Sequence, residues 1–427
     1  MNSIFESRDY RISRRMYTAQ CMFEYFISIM AADAFLAKLL KDIGLSDALT
    51  GVLSSLISVT FLFQLLSIPL AGKIRKVKKT VIILDTLSQL LFAAMYIVPF
   101  LPSGVKGKGI TVTALILLAY LMLYLNTSIC YKWGNSFVEP TKRGVFSATK
   151  EMISLIAGVA FTLGAGFMID RYEEKGNLHG GFVFTAAGMT VICLCNFLCL
   201  FFMKEKPLSE SGARQSAREI INRTFKDKNV LCAMILTSLT DFARYMTIGF
   251  MGTYKTIDLG FSVSTIQIFN VAACMGRFVI SRPLGKYSDR KSFSDGYFIG
   301  NILTLAAFIT GIFITPKTRW IMLIFTLLYQ MSFAGTNQNT FNMMYGYVDD
   351  EYILSAMAVN NSVRGVFGFL ASFAGSFILS EIQQSGNSLF GVNIHAQQVL
   401  CFISALLTAA ALIFNKKVVS SHKENRK

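Results

Sequence analysis

Runs of about twenty apolar residues recur along the whole of this 427-residue chain. Each is long enough to cross about 30 Å of hydrocarbon as a helix. In lipid, every backbone N–H and C=O must be bonded within the protein, so a chain of such runs folds as a bundle of helices. Composition agrees. Only 15% of the residues are charged and 53% are hydrophobic, against about 25% charged in soluble domains. A soluble chain of this composition would need two or three domains with apolar surfaces that water does not tolerate.

Twelve spans are expected, near 16–40, 47–71, 80–101, 110–131, 148–170, 181–203, 230–254, 263–285, 294–315, 320–343, 355–380 and 396–415. The first carries Glu24 and Asp33 and lacks a small-residue cleavage site behind a short apolar core. It reads as a retained helix rather than a leader. The eight cysteines fall within or beside apolar runs. Even Cys193, Cys195 and Cys199, crowded into one run, read as small membrane-compatible residues, and no disulfide framework or zinc spacing is present. The seven prolines sit near span ends or in loops. Bends are therefore expected from glycine or from packing.

Lysine and arginine set the orientation. With the N-terminus in the cytoplasm, the segments on that side hold 28 of the 41 Lys and Arg, the outside loops nine and the spans four: Arg244, Arg277, Arg282 and Arg364. Both termini are expected in the cytoplasm. The same bias accounts for the net charge of +16 with no nucleic-acid partner. The inside loop 344–354 departs from it, with Asp349, Asp350 and Glu351 and no basic residue. The longest hydrophilic stretch, 204–229, is the expected linker between an N-terminal half, 1–203, and a C-terminal half, 230–427. Within it Ile220, Ile221 and Phe225 either form a short helix on the membrane surface or belong to a solvated linker.

The halves echo one another. PLAGKIRKVKK at 69–79 aligns with PLGKYSDRKS at 283–292 at an offset of 214, pairing Pro69 with Pro283 and Arg75 with Asp289. Both read as charged hairpins between apolar runs. Span five carries Ser154, Gly158, Thr162 and Gly166; span eleven carries Arg364, Gly368, Ser372 and Ser376, at an offset of 210. Residues four apart share a helix face, and a ribbon of small residues lets membrane helices pack closely. A duplication of six spans follows. Six is even, so the two copies share one orientation.

These features together resemble the major facilitator superfamily of secondary transporters: twelve spans, both termini inside, a basic central loop, and Gly285, Asp289 and Arg290 in a G-x-x-x-D-R pattern between spans eight and nine. The resemblance implies an all-α integral membrane fold of twelve transmembrane helices, arranged as two pseudo-symmetric six-helix bundles. It also implies a cavity lined by spans one, four, seven and ten, and a gating role for the loop residues, with Asp289 as a latch. Two departures stand out. The loop after span two has Arg75 where the family pattern has its aspartate. Span five has only Gly158, Gly164 and Gly166 in place of the G-x-x-x-G-P-x-x-G-G pattern of drug/proton antiporters.

An ionisable residue at bilayer depth costs about 2.5–3.5 kcal/mol or more, so it faces a wet cavity or a partner. Glu24, Asp33, Asp241, Arg244 and Arg277 are the candidates for proton coupling or substrate contact, each against a structural ion pair. Asp85, near the inner end of span three, is expected to reach water. On a straight helix Glu24 and Asp33 point to opposite faces, about 13 Å apart along the axis. Asp241 and Arg244, three residues apart, either neutralise one another or act separately on proton and anion. Candidate cavity-lining residues are Tyr120, Tyr124 and Thr127 on span four; Gln267 and Asn270 beside Arg277 on span eight; Asn337, Gln338 and Asn339 on span ten; and Arg364. Amides both donate and accept hydrogen bonds, which suits hydroxyl-bearing or zwitterionic solutes. Helix packing is the alternative for each set.

There is no phosphate-cradling loop, no metal-ligand cluster and no nucleophile with a plausible base. No cofactor and no enzymatic activity are expected. The expectation is a proton-coupled transporter of a small organic solute in the lipid bilayer, acting as a monomer. A multidrug/proton antiporter and a non-transporting ligand sensor are the other readings.

Overall fold

A computed structural model describes residues 7–54, 56, 60–63, 66, 74, 76–139, 143–205, 224–347, 353–389 and 392–419. These are helical almost throughout. The helices are α1 (Arg8–Met30), α2 (Asp33–Asp42), α3 (Asp47–Ser54), α4 (Val77–Ala94), α5 (Val105–Asn135), α6 (Arg143–Glu174) and α7 (Leu178–Phe202). There follow α8 (Lys228–Ile248), α9 (Val263–Arg290), α10 (Phe293–Ile312), α11 (Ile321–Tyr347), α12 (Ile353–Gln384) and α13 (Ala396–Lys417). A 3₁₀ stretch, Met95–Phe100, extends α4. A two-residue ladder, Ser388–Leu389 with Val392–Asn393, separates α12 from α13.

Eight helices among the described residues are long and apolar enough to cross a membrane: Val77–Phe100, Val105–Asn135, Met152–Glu174, Leu178–Phe202, Val263–Ser288, Phe293–Ile312, Ala356–Gln384 and Ala396–Lys417. Large apolar side chains such as Phe373 and Phe377 point outward from them, as lipid allows and water does not. Helices α1, α8 and α11 lie outside this set. They carry Arg8, Arg11, Arg14, Arg15 and Glu24, the Asp241 and Arg244 pair, and the amide run, and those polar residues lower their hydropathy.

The chain divides into two compact units. One comprises Met1–Leu45 and Phe63–Arg214, the other Ser46–Leu62 and Gln215–Lys427. The sequence assigns 47–71 to the first half, but α3 packs within the second unit. There Ser376 Oγ donates to the Ala48 carbonyl at 3.3 Å and Gln383 Nε2 to Asp47 at 3.0 Å. Most of span two beyond α3, with Pro69, Leu70 and Arg75, lies outside the described residues, as does 206–223 of the linker with Ile220 and Ile221.

In the first unit, the expected single span 16–40 is two helices. Ala32 is extended (φ −140°, ψ 173°) and Asp33 has φ +45°, a left-handed conformation in which Asp is enriched among non-glycine residues. Neither glycine nor proline sits at the break. The freed backbone is re-bonded: the Ala31 N–H donates to the Ile27 carbonyl at 3.1 Å, and the Tyr96 hydroxyl donates to the Met30 carbonyl at 2.7 Å. Interrupted helices persist in membranes where such partners exist. The ribbon Ser154, Gly158, Thr162, Gly166 is buried. A Cβ at Gly158 would sit 2.3 Å from the Tyr25 ring of α1. Beyond the apolar stretch, the Lys204 ammonium bonds Asp9 at 2.9 Å, and that bond raises its pKa.

In the second unit, α10 and α11 cross at two glycines. A Cβ on Gly335 would lie 2.7 Å from the Gly300 Cα and 2.8 Å from its nitrogen. Helix α12 closes on α8 in the same way, because a Cβ on Gly375 would lie 2.5 Å from the Met246 carbonyl oxygen. Ser372 Oγ donates to the Tyr245 carbonyl at 2.9 Å. The expected hairpin PLGKYSDRKS is a correction: α9 runs through Pro283 to Arg290, so these residues form its last turns. Only Lys291 and Ser292 separate it from α10, where Ser292 Oγ accepts from the Asp295 N–H at 2.9 Å. A polar, proline-bearing segment ending on a basic residue suits a helix C-terminus.

Candidate functional site

The close approaches of α12 to α8 and of α10 to α11 converge on two charges of α8. Asp241 is buried and accepts from Arg364 Nε of α12 at 2.7 Å. Arg364 Nη1 also reaches Asn361 Oδ1 at 3.4 Å. Arg244, one turn further along α8, is buried and turns elsewhere. Its Nη2 donates to the hydroxyls of Thr304 (3.0 Å), Ser332 (3.1 Å) and Thr336 (3.0 Å). Thr304 lies one turn beyond Gly300 and Thr336 adjoins Gly335, so the glycine crossing sets the hydroxyls around the guanidinium. Asp241 and Arg244 therefore do not neutralise one another.

Arg244 also lies over two rings of α11, 4.6 Å from the Phe333 centroid and 5.8 Å from that of Tyr329. Arg277 of α9 lies 5.8 Å from the same Phe333 centroid. Along α9, Gln267 is buried and accepts from Asn270 Nδ2 at 3.1 Å. The amide run of α11 splits by face: Asn339 is buried and donates to the Gly335 carbonyl at 2.7 Å, while Asn337 is exposed. The side chains of Gln338 and Asp289 lie outside the description. Gly285 and Arg290 occupy the last turns of α9, with Arg290 exposed.

In the first unit, Glu24 is half-buried on α1 and accepts from Gln20 Nε2 at 2.8 Å. Lys150 of α6, which the sequence counts as a loop anchor, reaches α1 and donates to the Tyr17 hydroxyl at 3.4 Å. It lies 4.6 Å from the Tyr17 centroid. Asp33 opens α2, beyond the break. Tyr120 is buried edge-on against Phe92 (5.0 Å) and stacked beside Tyr124 (6.0 Å), so it serves the packing of α4 on α5. The Thr127 hydroxyl bonds its own helix at Leu123 (2.7 Å).

Asp85 is a second correction. It is fully buried. Three amides on three helices donate to it: Gln89 of α4 at 3.0 Å, Asn126 of α5 at 3.1 Å, and Asn196 of α7. No cation contacts it among the described residues.

The sequence matches the family model of the Major Facilitator Superfamily over residues 18–372. The chain belongs to this superfamily. No curated protein matches it in sequence. Among solved structures, a variant of the nucleoside transporter NupG superposes with a TM-score of 0.73 at 14% identity, over 95% of this chain and 99% of that one. A D-xylose–proton symporter does so at 0.71 and 12% identity, over 98% and 99%. A mutant of the peptide transporter POT in complex with sulfate does so at 0.67 and 10%, over 95% and 93%. At these identities the likeness is one of fold. The family places the protein among multi-pass membrane transport proteins, not enzymes.

Within this superfamily member, sequence reasoning selected Asp241, Arg244, Arg277 and Arg364, and the structure brings all four into the second unit. It passed over the hydroxyls of Thr304, Ser332 and Thr336 and the ring of Phe333, whose residue types are ordinary in apolar helices. It also passed over Asn126 and Asn196. A lone amide within each of three apolar runs was the one available signal, since a buried amide needs a partner.

Proposed function

We propose that this protein is a proton-coupled secondary transporter that moves a small organic solute across the cytoplasmic membrane by alternating access. Twelve transmembrane helices form two pseudo-symmetric six-helix bundles, 1–203 and 230–427, joined by the linker 204–229. Both termini are cytoplasmic and the protein works as a monomer. The observation that carries the reading is the Asp241–Arg364 ion pair, held at 2.7 Å between α8 and α12. Charge within membrane helices is expensive and marks substrate or proton pathways. Protonating Asp241 removes its charge and frees Arg364, which is a step that a proton gradient can drive. Glu24, hydrogen-bonded to Gln20, and Asp33, at the break in span one, are the other proposed proton carriers.

The two ribbons favour the duplication. That of α6 packs on α1 at Gly158, and that of α12 meets α8, the first span of the second half, through Arg364 and Ser372, and α3 through Ser376. The D-xylose–proton symporter among the similar folds favours proton coupling. Gly285, Asp289 and Arg290 are proposed to gate the cycle, with Asp289 as the latch.

The test is solute uptake by proteoliposomes under an imposed pH gradient. Accumulation should follow the gradient and fail in Asp241→Asn or Asp33→Asn. Full activity with Glu24, Asp33 and Asp241 all neutralised removes the proton assignment. Ligand-induced thermal stabilisation without flux would favour a sensor instead.

A further inference from the structure

The membrane helices of the second unit do not balance their charge. Away from the helix ends, where Arg282, Asp295 and Glu381 lie, they carry three arginines, Arg244, Arg277 and Arg364, and one carboxylate, Asp241, and Asp241 is taken by Arg364 at 2.7 Å. Neither Arg244 nor Arg277 has a carboxylate partner among the described residues. The three groups that bond Arg244 are neutral hydroxyls, which do not cancel its charge. Its Nε is buried with no acceptor, a condition that disfavours the folded state.

Arg277 has no escape to water along its own helix. It lies fourteen residues from one end of the span Val263–Ser288 and eleven from the other. At about 1.5 Å per residue that is roughly 20 Å and 16 Å, farther than its side chain extends. Both guanidiniums approach the Phe333 ring, at 4.6 Å and 5.8 Å. Two like charges that share one ring repel, and only part of that is relieved by the face of an aromatic ring. A planar guanidinium is matched by the paired oxygens of a carboxylate or a phosphate. An oxyanion there would accept from Arg244 Nε, lower the repulsion and leave its organic body against Phe333 and Tyr329.

We infer that the second unit holds an oxyanion subsite between Arg244 and Arg277 beside Phe333, and that the cargo is a small organic anion bearing a carboxylate or phosphate group. The statement about cargo rests on the transporter reading; the subsite does not. The amide-based expectation of a hydroxyl-bearing or zwitterionic solute is shifted accordingly toward an anion.

The test uses the purified full-length protein in detergent. Thermal stability is followed against benzoate, lactate, succinate, glycerol 3-phosphate and inorganic phosphate, with uridine, xylose and glycerol as neutral probes. At least one oxyanion should raise the melting temperature in a saturable way, and the neutral probes should not. Arg277→Gln should weaken the apparent affinity at least tenfold, and Arg277→Lys should recover part of it. A carboxylate-only or phosphate-only response identifies the group and supports the subsite. Stabilisation that is equal in wild type, Arg277→Gln and Arg244→Gln overturns it, as does no response to any oxyanion. Counterflow in proteoliposomes separates the two claims. Flux of uridine or xylose without any oxyanion effect keeps the transporter and overturns this inference. Arginine-dependent stabilisation without flux of any probe supports the subsite and overturns the transporter reading.

Discussion

Replacing Asp241 by Asn tests the buried pair most directly. The substitution keeps the shape and removes the charge. Arg364 then meets only neutral acceptors among the described residues, the substituted amide and Asn361 Oδ1 at 3.4 Å. Removing one partner of a buried ion pair costs about 3–5 kcal/mol. The two side chains retain 19% and 10% exposure, so the lower end applies, about 3 kcal/mol. Arg364→Gln should cost a similar amount, because it strands the carboxylate. The double variant Asp241→Asn/Arg364→Gln strands neither. It should cost no more than one single change, a coupling of about 3 kcal/mol and the upper end for residues in contact. Unfolding entropy of about 2.1 cal/mol/K per residue, over a second unit of roughly 230 residues, converts this to a drop near 6 °C for each single variant. Thermal unfolding in detergent, followed by thiol labelling of the buried cysteines, reads the difference. A double variant that falls by the sum of the singles, about 12 °C, would refute the pairing.

Gly335→Ala should destabilise by about 2–3 kcal/mol, because its Cβ meets the Gly300 backbone at 2.7 Å and backbone cannot yield. Gly188→Ala, whose Cβ meets nothing within 4 Å, should be neutral or stabilising by up to about 1 kcal/mol; melting temperatures decide both. Tyr96→Phe removes the donor that serves the Met30 carbonyl and should cost about 1–2 kcal/mol, with faster amide exchange at 31–34 than in α1. Asp289→Asn should slow transport more than Arg75→Asn, since only the former loses a carboxylate; equal or reversed effects on the transport rate refute that asymmetry.

Much of the architecture was legible before any coordinates. Apolar runs mark the helices because lipid leaves the backbone few alternatives. The ribbons of α6 and α12 marked packing faces, since spacing by four is a local property of a helix. Elsewhere, local signals misled. Pro283 and the charges after it read as a hairpin, yet α9 continues to Arg290. Span one read as a single helix, yet it breaks at Ala32, where Tyr96, more than sixty residues away, supplies the stabilising bond.

The sequence by itself determined a multi-span helical membrane protein and marked the charges its helices carry, because hydropathy and the cost of buried charge depend on residue type alone. Only the tertiary structure decided how those charges pair. Asp241 lies three residues from Arg244 but bonds Arg364, 123 positions on, because α12 closes on α8 at Gly375. Arg244 is left to hydroxyls from α10 and α11 because Gly300 and Gly335 let those helices touch. Asp85 is buried among amides of α4, α5 and α7 rather than reaching the surface, because those three helices pack around it. Which neighbour a buried charge meets is set by how closely helix backbones approach, and no periodicity within one helix records that.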